Sequence, residues 1–362
     1  MKPPAEHGSG GSSTGEVATA GASGSPGRGL PIRQALAFAL KVLISGLVLW
    51  AVTRSIDFAA VTGSMRMASP LLLALGLLCT VSSLLIAGLR WWVVLQGIGQ
   101  HSRPMVSISL FWIGFFLSQI LPSAVGDGLR VWLAVQSGDR LQPTVNSVII
   151  ERASMLLALV FIVAALQPLL VQRIGVFGYG WFPASAALAG ALGLIALLAA
   201  DRFTARWPGL KVLQAVGDLS FDARRLACSR WAVPLVLLTL LAHLNLVVSA
   251  AFIGAALGLP MSVLDYALFM PLVIVATVIP ISVSGWGLRE GLLLVLLGRI
   301  GISEHDALAF SLLIGFFAAI SSLPGLPLWW ALRRKQPLAT SAATSGSARA
   351  TLSNRDRGVS EA

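Results

Sequence analysis

The sequence predicts an all-α polytopic membrane protein, with about six full transmembrane helices plus two broken or re-entrant helical hairpins in an inverted repeat. Three observations carry this expectation. The 362 residues are 56% hydrophobic and only 11% charged, with a mean hydropathy of +0.83, whereas about a quarter of the residues of a soluble domain are charged. Six apolar stretches reach the ~20 residues that a helix needs to cross ~30 Å of hydrocarbon. Two further apolar segments are each broken by a proline and then continue as Gly-x-Gly-Leu-Arg: Pro122 with Gly126, Gly128 and Arg130, and Pro280 with Gly285, Gly287 and Arg289.

In chain order, the first apolar stretch covers 34 to 53 and follows Arg28 and Arg33. It is longer than the apolar core of a secretory signal and lacks a clear small-residue cleavage site, so it is expected to be a retained first helix. Full spans follow at 70 to 89, 146 to 167, 181 to 200, 232 to 257 and 308 to 331. Between them lie the two motif hairpins, about 105–136 and 264–299. Their halves, 105 to 121 with 129 to 136 and 264 to 280 with 287 to 299, are short for an untilted crossing. Residues 30–335 therefore form one integral-membrane domain. The tails, 1–29 and 336–362, are rich in small and polar residues and hold too little apolar surface to offset the entropy of ordering.

Cytoplasmic loops carry the Lys/Arg excess of a membrane protein. The N-terminal tail has Lys2, Arg28 and Arg33, and the segment after the second span has Arg90 and Arg103. The 201–231 loop has Arg202, Arg206, Lys211, Arg224, Arg225 and Arg230, and the C-terminal tail opens with Arg333, Arg334 and Lys335. All four segments fall on one side only if each motif hairpin returns to the face it entered from. Outer loops then keep Arg54, Arg66, Arg173 and Arg299. The hairpins acquire opposite orientations, the inverted-topology relation of alternating-access transporters, in which paired Gly/Pro-broken segments point to the substrate site. Both termini are expected in the cytoplasm and the domain in the inner (plasma) membrane.

The net charge of +11 sits in loops and tails, without the basic and aromatic face of a nucleic-acid binder. No phosphate-binding Gly-x-x-x-x-Gly-Lys-Ser/Thr loop, His-Glu-x-x-His pair, Cys/His metal spacing or Gly-x-Ser-x-Gly elbow occurs in the sequence. ATP hydrolysis, metal chemistry and acyl-enzyme chemistry are therefore not expected, and no cofactor is called for. Two cysteines, Cys79 and Cys228, make no disulfide framework.

The segments Leu121 to Arg130, Glu151-Arg152 and Pro280 to Glu290 resemble the transmembrane, flippase-like domain of the lysylphosphatidylglycerol synthase family. That family carries a Leu-Pro-Ser-x-x-Gly-Gly-Asp-x-x-Arg-like segment, an acidic-Arg pair opening a later helix, and Pro-x-Ser-x-x-Gly-x-Gly-x-Arg-Glu near the end. The likeness covers most of 34 to 332. One departure is Asp127, which stands between Gly126 and Gly128 where the family often has two glycines before the acid. The resemblance implies a stand-alone member without the soluble aminoacyl-transfer domain, handling lipids such as phospholipids or polyprenyl-linked sugars.

A charged side chain within a bilayer costs roughly 2.5 to 3.5 kcal/mol on insertion scales, so such groups face a cavity or a partner. Arg130, Asp127, Arg289, Glu290, Glu151 and Arg152 are accordingly the expected lipid-headgroup residues. The helix breaks Pro122, Gly126, Gly128, Pro280, Gly285 and Gly287 present helix N-termini, whose free N–H groups favour anions. An arginine fork grips phosphate with two parallel bonds. Glu151 and Glu290 can neutralise the arginines when the site is empty. The two arginines are expected to share one wet chamber.

His243 and Asn245 are expected to make interhelical hydrogen bonds, and Gly254 to Gly258 to allow close helix packing. The doublets Trp91-Trp92 and Trp329-Trp330 read as interfacial anchors. The function expected is translocation of a phosphate-bearing lipid. The alternatives are an intramembrane lipid-modifying enzyme using Glu151 or Glu290 as acid/base, and a non-catalytic protein that presents lipid to a transferase.

Overall fold

The computed structural model describes residues 63, 66–119, 121–175, 182–204, 210–278 and 287–332. In chain order the helices are α1 (Pro70–Gly97), α2 (Pro104–Ser118), α3 (Ser123–Gln136), α4 (Leu141–Ile174), α5 (Phe182–Thr204), α6 (Lys211–Ala227), α7 (Ala232–Ala256), α8 (Val263–Val278), α9 (Leu288–Gly298) and α10 (Glu304–Ser322). Beyond a turn at Leu323 and Pro324, helical backbone resumes to Leu332. Five helices are long and apolar enough to cross a membrane: Pro70–Gly97, Leu141–Ile174, Pro183–Thr204, Ala232–Ala256 and Glu304–Leu332. They correspond to five of the six spans expected, and the sixth, 34 to 53, lies outside the described residues. The chain is thus a multi-pass, all-helical membrane protein.

Local chemistry sets the helix starts. Pro70 and Pro104 occupy the first turns of α1 and α2, where a missing N–H costs nothing and the fixed φ suits the helix. Ser303 caps α10 by accepting a hydrogen bond from the Asp306 N–H at 3.2 Å.

The longest seam runs between α1 and α7. In lipid, helices gain little from apolar burial alone, so small residues and interhelical hydrogen bonds hold them. Asn245 Nδ2 donates to the Cys79 carbonyl at 2.7 Å and to Ser83 Oγ at 2.6 Å, and Ser249 Oγ donates to the Gly76 carbonyl at 2.9 Å. The hydrogen-bonding role expected of Asn245 is what it has. Gly254 lies directly under the Tyr266 ring of α8, so close that an added Cβ would overlap the hydroxyl.

Two apolar cores flank this seam. One joins α7, α8, α9 and α10 through Ile253, Phe269, Leu293, Leu297 and Phe310. The other joins α1, α2 and α3 through Trp91, Leu110, Ile113, Val131 and Leu133. The outer faces of α5 and α7 expose Leu188, Leu192, Ile195, Leu237, Leu241 and Leu244, as lipid-facing surfaces do.

Each motif segment folds as a pair of short helices in mutual contact, α2 with α3 and α8 with α9, and α10 touches both pairs. Ser311 of α10 stands 3.3 Å from Arg289, while the Ser321 carbonyl accepts a 2.7 Å bond from Trp112 of α2. Those two points are about 15 Å apart along a regular helix.

Three expectations need correction. The 201–231 segment is not simply a cationic loop, because it contains α6. Ser220, Ala223 and Leu226 recur at helical spacing on its buried face, and Arg224 pairs with Asp201 of α5. Arg90 is not a loop cation, since α1 continues past it to Gly97 and buries it. Trp91 is no interfacial anchor either: it is fully buried and its indole N–H donates to Ser147 Oγ at 2.9 Å.

Candidate anion-binding site

The polar centre of the molecule is built where α3 and α4 meet α1. Arg130 projects from the middle of α3 and is 1% exposed. Trp91 and Phe111 hold its guanidinium from two sides, with ring centroids 4.9 and 5.1 Å away, a geometry that attracts a cation to both ring faces. Glu151, also 1% exposed, divides its carboxylate between two helices. Its Oε2 accepts from Arg130 Nη2 at 2.8 Å, and its Oε1 accepts from Arg90 Nη2 of α1. Asp127 Oδ1 stands 3.0 Å from both Arg130 Nη2 and Arg152 Nη2.

The result is a ladder of alternating charge, Arg152, Asp127, Arg130, Glu151 and Arg90, running from a half-exposed rung into the core. Three arginines face two carboxylates, so the ladder carries one excess positive charge. Several of its donors also lack partners among the described residues: Arg130 Nε and Nη1, and Arg90 Nε. A buried guanidinium N–H without an acceptor is costly. An incoming oxyanion offers acceptors for those donors and balances the charge.

The backbone of the first break supports this chemistry. Pro122 directly precedes α3, which starts with no side-chain cap and no acidic residue in its first turn, so its positive end is uncompensated. Gly126 makes the turn of the hairpin close. A Cβ there would overlap the Gly114 carbonyl and the Ser118 hydroxyl, whereas Gly128 has open space around it. Close approach is therefore required at Gly126 and not at Gly128, contrary to the symmetrical role expected of the two.

The second break is arranged differently. Gly287 precedes α9 with φ 87°, a left-handed conformation that disfavours any side chain. Its N–H donates to Glu290 Oε2 at 2.6 Å, so a carboxylate of the chain already occupies the helix N-terminus. The other oxygen, Oε1, accepts from Arg289 Nη2 at 2.5 Å and lies 3.3 Å from Ser311 Oγ. Glu290 thus neutralises both the dipole and the arginine. Pro280 and Gly285 lie outside the described residues.

Of the residues expected to bind a headgroup, Arg130, Asp127, Glu151 and Arg152 converge in one network, while Arg289 and Glu290 form another. Among the described residues the two motif arginines have different carboxylate partners, Glu151 and Asp127 for Arg130 and Glu290 for Arg289. Sequence reasoning missed Arg90, Trp91 and the buried Asp265 of α8. The last accepts a bidentate pair of bonds from Arg173, at 2.6 and 3.1 Å, and ties the end of α4 to the start of α8. The signal for Arg90 was the apolar Val93-Val94-Leu95 run beyond it, which extends the helix past the charge.

None of the curated proteins matches the chain. Residues 38–325 match the lysylphosphatidylglycerol synthase TM region, a lipid-related membrane domain. That match spans most of the sequence and contains both hairpins and the whole ladder, and the chain belongs to this family.

Proposed function

We propose that the protein translocates a lipid with a phosphate-bearing headgroup, a phospholipid or glycolipid, across the inner membrane, with both termini in the cytoplasm and without chemical change to the lipid. The observation that supports this best is the excess positive charge of the ladder, with unpartnered guanidinium donors buried on α1 and α3. Glu151 stands where a phosphate would, bridging Arg90 and Arg130. An arriving headgroup first meets the half-exposed Arg152 and Asp127, then takes up the Arg130 donors that Asp127 and Glu151 leave free. The aromatic clamp of Trp91 and Phe111 keeps Arg130 in place while its anionic partners exchange. Arg289, neutralised by Glu290, is a second and differently built station on the inverted hairpin. A separate lipid-modifying transferase fits as a partner that supplies or consumes the lipid.

Reconstitution into liposomes with a labelled anionic phospholipid tests the reading. Wild-type protein is expected to move the label between leaflets, and Arg130→Ala to lower the rate at least tenfold. Arg130→Lys keeps the charge but loses the planar fork and the stacking, so it too falls well below wild type. Rates equal to wild type in both variants overturn the assignment of Arg130, and a lipid product of altered mass supports the enzymatic alternative instead.

Asp127 gives a milder outcome with opposite sign. It is partly exposed, so Asp127→Asn costs about 1 kcal/mol of stability or less. It also raises the excess positive charge of the ladder, and binding of an anionic lipid is expected to tighten, read as slower exchange of the copurified lipid.

A further inference from the structure

A second polar cavity lies away from the ladder, where α6 folds over the start of α4 and the end of α1. We propose that this cleft binds a small zwitterion carrying both a phosphate and an ammonium group, the chemistry of phosphoethanolamine. This inference stands apart from the headgroup site and uses none of its residues.

The cleft measures about 310 Å³ and is lined by Arg140, Gln142, Asn146, Asp218, Asp222 and Arg225, with apolar wall from Ile98 and Phe221. That volume is at the lower end for ligand pockets, the size of a small polar molecule. Its two arginines and two carboxylates balance in charge, yet among the described residues none of the four is ion-paired. Arg225 instead donates to the Ile98 carbonyl at 3.2 Å. Opposite charges held on one wall without meeting leave room for a ligand that bridges them.

The acidic side is organised by amides. Asp218 and Asp222 sit one helical turn apart, on one face of α6. Gln142 Nε2 donates to Asp218 Oδ2, and Asn146 Nδ2 donates to Asp222 Oδ2 at 2.7 Å. Each carboxylate keeps its Oδ1 for another donor, and an ammonium group supplies several. Asp222 is 7% exposed; burial, reinforced by the Asp218 charge, pushes its carboxyl above the ordinary aspartate range, which a bound cation would relieve. On the basic side, Arg140 lines the cleft, and a guanidinium offers the fork of donors that suits phosphate. The main-chain N–H of Arg140 donates to Gln100 Oε1 at 3.3 Å and so fixes the start of α4 beside the cleft. Phe221, half exposed beside the polar wall, gives the cleft an apolar lip.

Titration of the full-length protein in detergent with O-phosphoethanolamine, glycerol phosphate and ethanolamine tests the proposal. Phosphoethanolamine is expected to bind at least tenfold more tightly than either single-charge probe. Asp218→Asn and Arg140→Gln, both at exposed positions, are each expected to weaken it about tenfold. Repeating the titration in nanodiscs separates the two sources of such a group: competition by phosphatidylethanolamine but not by phosphatidylglycerol identifies a lipid headgroup, and equal binding in both identifies a free metabolite. Equal affinity for all three probes, indifference to both substitutions, or no binding of phosphoethanolamine overturns the proposal.

Discussion

Glu151→Gln is expected to be the most destabilising conservative substitution in the molecule, and the loss should be recovered by anionic lipid. The carboxylate is the common partner of Arg90 and Arg130, both nearly fully buried. Removing its charge leaves two guanidinium groups inside the bundle with an amide between them that can accept from only one side. Breaking one buried pair costs about 3–5 kcal/mol. Two pairs sharing a carboxylate are not additive, and a loss of about 5 kcal/mol is expected in thermal unfolding of the protein in neutral detergent. A purely structural carboxylate would leave that loss equal in every lipid. If the ladder accepts a phosphate, a phosphatidylglycerol headgroup supplies the missing anion. The gap between variant and wild type should then narrow in phosphatidylglycerol and persist in phosphatidylcholine. An equal gap in both lipids would remove the ground for a phosphate at this position. Glu151→Ala should behave alike with a larger initial loss, because the cavity left by the shorter side chain adds its own cost.

The parts of this site that were legible in the sequence are those marked by a break in periodicity. A proline inside an apolar segment, followed by glycines and an arginine, can hardly continue a lipid-facing helix, and the pattern led directly to Arg130 and Arg289. The acidic-basic pair Glu151-Arg152 was legible because charges inside an apolar run demand a partner. What could not be read was which partner. Arg90 lies at the end of an apolar window, where a topogenic cation and a buried one look alike; only the packing of α1 on α4 tells them apart. Trp91 carried the same ambiguity, since an aromatic beside an arginine suits the membrane interface as well as a cation–π clamp. The α6 helix was hidden by its charge. Its helical periodicity is pronounced, with Ser220, Asp222, Ala223 and Leu226 on the buried face, but a segment of low average hydrophobicity that carries several cations reads as a loop when only membrane spans are sought. The different carboxylate partners of Arg130 and Arg289 were likewise beyond the motif. Sequence similarity equates the two breaks, but Glu290 at the third position of α9 accepts from the Gly287 N–H, whereas α3 has no acidic residue in its first turn.

Gly126→Ala is expected to disrupt the first hairpin, while Gly128→Ala, two residues on, is expected to be nearly silent. At Gly126 the added methyl meets backbone: the Gly114 carbonyl oxygen of α2, with the Ser118 hydroxyl beside it. Gly114 is in the reciprocal position, where a Cβ would come within 2.8 Å of the Gly126 carbonyl oxygen. Neither contact can be relieved by turning a flexible side chain, so α2 and α3 must move apart. Overpacking of this kind costs about 3 kcal/mol, at the upper end of its usual range, because the obstacle is main chain. The displacement also reaches the ladder, since Arg130 lies one helical turn beyond Gly126 and its clamp takes Phe111 from α2. Translocation should therefore fall together with thermal stability in Gly126→Ala. At Gly128 no atom lies within 4 Å of the added methyl, and alanine favours a helix over glycine by up to ~1 kcal/mol. Gly128→Ala is expected to unfold at or slightly above the wild-type temperature with its transport rate unchanged. Equal behaviour of the two variants would show that α2 and α3 do not cross at Gly114 and Gly126, and would take away the support on which the position of Arg130 depends.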